Sequence, residues 1–221
     1  MPYLIRPLNH PNICPITGIC ICIENLPNIY IIWPFYKIGS LFDLLHVQKL
    51  QIDLKKRMHI ALEIALGMEY LHENKIYHYH LSSKNIYLND QFTPIISDYG
   101  FHYLKDISSV FIKYKNKNSY TSPELLKENK IIGNTTSNSE NFQKNDIYSF
   151  GILLWELYTC TVPFNISLNN LYNYVVVNGY RPEITKDFNP DIAELIRACW
   201  DSDPNKRPGF IKIVEILDKS I

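Results

Sequence analysis

Eight consecutive residues, His78-Tyr79-His80-Leu81-Ser82-Ser83-Lys84-Asn85, concentrate groups that move protons, meet anions or hold metals. Imidazole titrates near neutral pH, so His80 is a candidate general base, a role worth on the order of 10² to 10⁴ in rate. Neutral imidazole brings no negative charge, and once protonated it repels a divalent cation. A His78/His80 metal pair lacks an acidic or Cys ligand at supporting spacing. On their own, Asn85 and Asp98 read as loop-start residues that hydrogen-bond nearby backbone. Cys20-x-Cys22 is half of a metal site at most, because no second Cys pair follows, and buried thiols are the better reading.

These groups need a body to position them. With 221 residues, 46% apolar and 13% aromatic, the chain can bury a substantial core as one domain with a smaller appended subdomain. Twenty-two basic residues balance 22 acidic ones, which argues against nucleic-acid or membrane binding as the main function. Five scattered cysteines, Cys14, Cys20, Cys22, Cys160 and Cys199, suit reduced thiols and predict a cytoplasmic protein. Met1 to Arg6 lacks the basic start and apolar run of a signal peptide. The longest apolar stretch, Ile147 to Tyr158, contains Glu156 and is shorter than the roughly 20 residues of a membrane span.

Two Ile-rich runs, Gly18 to Ile23 and Ile29 to Trp33, predict a hairpin. In residues 53–72, Leu54, Met58, Ala61, Ala65 and Met68 recur at three and four, and Asp53 stands ready to cap the helix. Ile86 to Leu88 and Thr93 to Ile96 flank Asn89-Asp90 as a second small hairpin. Residues 101–121 show no period. Residues 129–145 are polar and read as a solvated surface insertion with little structure of its own. Apolar residues on every face predict a helix buried all round from Asp146 to Tyr158, the hub of the larger subdomain. Shorter helices follow near 168–177 and 190–200. The last has Pro208 in its first turn and presents Phe210, Ile213 and Leu217 to the core. The class is mixed, small strands ahead of a helical body.

Read in order, these landmarks resemble the protein-kinase family, and its tyrosine-kinase-like branch in particular. His10-Pro11-Asn12-Ile13 is similar to the turn after the small lobe's regulatory helix, and Gly39 to Leu45 to the segment after the hinge. His78 to Asn85 resembles the catalytic loop HRDLKxxN, Asp98-Tyr99-Gly100 the DFG triplet, and Ser122-Pro123-Glu124 the APE triplet. Asp146 to Gly151, Trp155-Glu156-Leu157, Pro163-Phe164, Arg181-Pro182, Cys199-Trp200 and Arg207-Pro208 complete the series. The resemblance implies an α+β protein-kinase-like fold, with residues 1–36 as a remnant β N-lobe and 37–221 as a mostly helical C-lobe. Counting back from His10 places Met1 near the regulatory-helix Glu, so the glycine-rich loop and the strand with the ATP-phosphate Lys have no counterpart in this sequence.

Carried over residue by residue, the family pattern puts His80 at the base position normally held by Asp and Ser82 at the position of the Lys that steadies the phosphoryl group. It puts Asn85 and Asp98 at the two magnesium positions. Trp33 becomes the gatekeeper, Tyr36 the source of the hinge amide for adenine, and Tyr87 the residue beneath the adenine; both Trp33 and Tyr87 fill space in that pocket. Tyr79 replaces the Arg that would receive an activation-segment phosphate, for which Tyr114, Tyr120 and Thr121 are candidate acceptors. His78, Tyr99, Gly100, Asp146 and the Glu124–Arg207 ion pair have structural roles. The implied function is a domain with lost phosphotransfer, a pseudokinase acting as scaffold or allosteric partner of other proteins, another kinase among them. The alternative is an active ATP-dependent Ser/Thr kinase with His80 as base. The first reading requires no cofactor; the second requires ATP and magnesium.

Overall fold

A computed structural model of the chain describes residues 8–22, 28–100, 119–130, 140–164, 166 and 168–221. The aperiodic stretch up to residue 118, the middle of the polar stretch (131–139), Tyr114, the first hairpin's turn and the N-terminal residues up to 7 lie outside the described residues.

The architecture is α+β. Strands β1 (Gly18–Cys22) and β2 (Asn28–Ile32) pair antiparallel, with Gly18 opposite Ile32 and Cys20 opposite Tyr30. Helix α1 (Leu54–Glu73) follows a short wide turn, Asp43–Val47. Asp53 caps α1 by accepting from the Lys56 amide at 2.9 Å, which satisfies one of the amides a helix start leaves free. Met58, Ala61, Ala65 and Met68 line its buried face.

Strands β3 (Ile86–Leu88) and β4 (Pro94–Ile96) form the second hairpin, with Ile86 opposite Ile96. The segment around His10-Pro11-Asn12-Ile13 adds to its edge. Cys14 N donates to Ile96 O at 2.8 Å, Ile96 N to Asn12 O at 2.8 Å, and the Asn12 side chain to Pro94 O at 2.9 Å. Gly67 of α1 allows this closeness: a Cβ there would lie 2.7 Å from Ile96 Cδ1 and 3.1 Å from Asn12 Cβ.

Helix α2 (Pro123–Lys130) leads toward α3 (Glu140–Thr159), the buried hub. Ile147, Tyr148, Phe150, Ile152, Leu153, Leu154 and Leu157 are all buried on it, so every face packs. The hub starts six residues ahead of the expected Asp146. Its first turns are polar yet fixed by tertiary bonds: Lys144 Nζ donates to Arg207 O at 2.7 Å, and Asn145 Oδ1 accepts from Ser122 Oγ at 2.6 Å. Composition marked these residues as solvated because it does not show such partners.

Helices α4 (Leu168–Tyr172), α5 (Pro190–Cys199) and α6 (Phe210–Ser220) complete the body. Asn189 caps α5 by accepting from the Asp191 and Ile192 amides. Pro208 precedes the α6 N-cap, Gly209, and so lies just outside the helix, while Phe210, Ile213 and Leu217 are buried as expected. None of the described helices is long and apolar enough to cross a membrane.

Candidate functional site

The 78–85 loop is hung on one carboxylate. Asp146 of α3 is fully buried and accepts from His78 N at 2.9 Å, Tyr79 N at 2.7 Å and His72 Nε2 at 2.8 Å. Burial alone would push this carboxyl up. The His72 hydrogen bond and charge, with His78 beside it, more than offset that and hold it below the usual carboxylate range. His78 is also buried, and desolvation keeps its imidazole on the low side despite Asp146. Tyr79, whose amide is the second that this anchor accepts, takes a left-handed backbone at φ +71°, a conformation few non-glycine residues adopt.

At the far end of the loop, Asn85 donates its side-chain amide to His80 O at 2.8 Å, while its own carbonyl accepts from Ser97 N and Ser97 Oγ. The loop is thereby joined to the strand that leads into Asp98-Tyr99-Gly100. Asp98 and Gly100 both turn through positive φ, +56° and +74°. The Asp98 carboxyl is raised by burial, only partly countered by His78. Asn85 and Asp98 carry the oxygen donors that magnesium takes. Ser82 is buried and Lys84 is exposed, its Nζ 4.6 Å over the Phe42 ring. Among the described residues no group of three His, Cys, Asp or Glu could hold a metal.

Near this loop, aromatic rings from residues 33–36 pack against Tyr87 and Tyr99. The Trp33 ring meets Tyr99 edge-on at 5.5 Å, and the Tyr36 ring stacks on Tyr87 at 5.9 Å with 26° between planes. Tyr36 Oη lies 3.6 Å from Cys14 Sγ, and Tyr99 Oη donates to Cys14 O at 2.7 Å. Desolvation raises all three groups that face Cys14: Tyr36, Tyr87 and Tyr99; it lifts the Cys14 thiol itself to about 11. Ser40 bridges to Tyr87, and Leu88 N reaches Gly39 O at 3.3 Å, so strand β3 is tied to the segment after residue 36.

Sequence reasoning missed a second buried carboxylate. Glu156 accepts from Ser83 Oγ at 2.9 Å and Tyr120 Oη at 2.7 Å, and its Oε1 lies 2.7 Å from His46 Nε2. Tyr120 is therefore a buried hydrogen-bond donor, its phenol raised far above the ordinary value by burial and by Glu156. That placement removes it from the phosphate acceptors expected from the sequence; Thr121 is half-buried. In the sequence Glu156 stands as a charge within the longest apolar stretch and as part of the Trp155-Glu156-Leu157 landmark, neither of which shows these partners. Tyr79 likewise proved to be packed, its ring 5.1 Å from Phe142 and 5.5 Å from His80. At the base of the body, Arg207 forms a two-pronged pair with Glu124, including NH2 to Oε2 at 3.0 Å, and donates to Asp201 O and Lys144 O.

The family model described as protein tyrosine and serine/threonine kinase matches residues 3–217, nearly the entire chain. The chain belongs to the protein-kinase family. It is 30% identical over 220 residues to the serine/threonine-protein kinase STY17 of Arabidopsis thaliana, covering 99% of this chain and 36% of that protein. It is 33% identical over 219 residues to the Arabidopsis serine/threonine-protein kinase CTR1, covering 97% of this chain and 25% of CTR1. The Arabidopsis serine/threonine/tyrosine-protein kinase HT1 is 32% identical over 219 residues, covering 98% of this chain and 53% of HT1. This kinase-family chain thus spans between a quarter and about half of the length of these relatives. By name, two of these relatives are serine/threonine kinases and the third is a serine/threonine/tyrosine kinase.

Proposed function

We propose that this kinase-family domain has lost phosphoryl transfer and acts through protein contacts, as a pseudokinase scaffold or allosteric partner of another kinase in the cytoplasm. The observation that carries the reading is the contrast within one loop. Asp146 and Asn85 hold the 78–85 segment by hydrogen bonds at both ends, while the base position bears the imidazole of His80 and the phosphoryl-steadying position the hydroxyl of Ser82. Phosphoryl transfer depends on positioned charge more than on proton abstraction. His80 supplies no fixed negative charge, and Ser82 no positive one.

Two parts of the proposed site divide on cofactors. Asn85 and Asp98 fit magnesium by donor type, and a bound ion would supply charge neutralisation for phosphates. The cleft proposed for adenine, between the Trp33–Tyr36 hinge and Tyr87, fits less well, since side chains of this chain stand in it. We assign residues 1–36 to the N-lobe part and 37–221 to the C-lobe part of the domain.

The second reading is an active serine/threonine kinase, favoured by relatives named as serine/threonine kinases. There His80 would take the substrate hydroxyl proton, with ATP and magnesium as cofactors. Incubating the purified chain with magnesium and radiolabelled ATP against generic protein substrates separates the two. Lost phosphotransfer predicts no label above the enzyme-free control.

A further inference from the structure

We propose that Tyr36 is a self-plug: its phenol ring occupies, on top of Tyr87, the slot that would take a planar purine-sized ring. The inference rests on the assignment of the hinge cleft as the nucleotide site, and is independent of whether phosphoryl transfer survives. Sequence reasoning gave Tyr36 only a backbone role at the hinge. The structure turns its side chain inward, where three contacts define its place. The ring lies near-parallel to Tyr87 with centroids 5.9 Å apart. Its hydroxyl reaches the buried Cys14 sulfur at 3.6 Å. Cys14 is itself fixed, through its amide to Ile96 O at 2.8 Å and its carbonyl from Tyr99 Oη at 2.7 Å.

Tyr36 therefore reaches from the 33–36 segment to Cys14 with its ring against Tyr87. A flat heteroaromatic ligand would make the same kind of contacts: a stacking face against Tyr87 and an edge toward Cys14. Both rings cannot occupy the slot together. Tyr36 remains half-buried rather than sealed, so the plug is one that a rotamer change withdraws, and a ligand binds only the fraction of molecules in which it has swung out. Apparent affinity falls by that fraction.

The test measures binding of N-methylanthraniloyl-ADP, with and without magnesium, to the full chain and to Tyr36→Ala and Tyr36→Phe by fluorescence anisotropy. A plug that leaves the slot open no more than about a tenth of the time predicts at least a roughly tenfold gain in affinity for Tyr36→Ala. Tyr36→Phe keeps the stack and loses only the contact to sulfur, so it should stay closer to wild type than to Tyr36→Ala. Each variant is first shown to keep a cooperative thermal transition; should Tyr36→Ala fail to fold, Tyr36→Val, whose short side chain keeps some packing but cannot reach across Tyr87, replaces it under the same expectation. A folded variant that binds no more tightly than wild type, including the case in which neither binds, overturns the plug. Phosphotransfer by the wild-type chain would instead overturn the proposed function, and is read in a separate assay.

Discussion

Burial pushes the Asp98 carboxyl above its ordinary range, and the sign of that shift makes a stability prediction. The fold favours the neutral acid, so the stability tied to Asp98 is fully present below the ordinary carboxylate value and is lost as pH rises through the raised one. Asp98→Asn removes the charge and keeps a residue that accepts φ +56°. Its melting temperature should exceed wild type at about pH 7.5, with the difference shrinking near pH 4, below or around the ordinary Asp value of about 3.9. An equal gain at both pH values would refute this. Asp146 behaves oppositely: its lowered value stabilises the fold above the ordinary carboxylate range and is lost as pH falls through it. Asp146→Ala strands two loop amides and His72 Nε2, and should cost about 3 kcal/mol or more in urea unfolding. The anchor was legible in sequence because Asp146 sits in an ordered series of motifs. The inward turn of Tyr36 was not, because a hinge residue's rotamer depends on Cys14 and Tyr87, which lie far from it along the chain.

At the level of elements, α3 packs against α5 at a point that admits no side chain. A Cβ on Gly151 would lie 2.7 Å from Cys199 Cβ and 3.4 Å from the Cys199 carbonyl carbon and the Trp200 amide nitrogen. Backbone on one side cannot yield as a flexible side chain would. Gly151→Ala should therefore destabilise by about 1 to 3 kcal/mol, whereas Gly209→Ala, with nothing within 4 Å of the added carbon, should stay within about 0.5 kcal/mol. Denaturant midpoints of the two variants check the contrast; similar losses would mean that propensity rather than packing sets the cost. Periodicity read α1 and the two hairpins to within a residue or so, because their apolar spacing is local. It missed the first turns of α3, where Lys144 and Asn145 are held by Arg207 and Ser122. A polar residue with a distant partner looks like a surface residue until the partner is seen.

Across the whole molecule, the proposed function separates a buried scaffold, which is present, from a chemistry that has changed. Arg207 is fully buried, and its fork bonds to Glu124 join the start of α2 to the loop before α6. Arg207→Lys keeps the charge and loses the fork, and should cost about 3 kcal/mol; a loss under about 1 kcal/mol, read from urea unfolding, would show that the pair is dispensable. The departures from the family pattern on which the proposal rests, His80, Ser82, Tyr79, Trp33 and Tyr87, spread over the loop and the hinge region. Restoring one of them should therefore restore little. The most direct measurement is label transfer from radiolabelled ATP, with magnesium, by wild type, His80→Ala and His80→Asp in parallel. The account predicts no transfer by wild type and no efficient transfer by His80→Asp. Transfer by wild type that disappears in His80→Ala would contradict it and make His80 a working base.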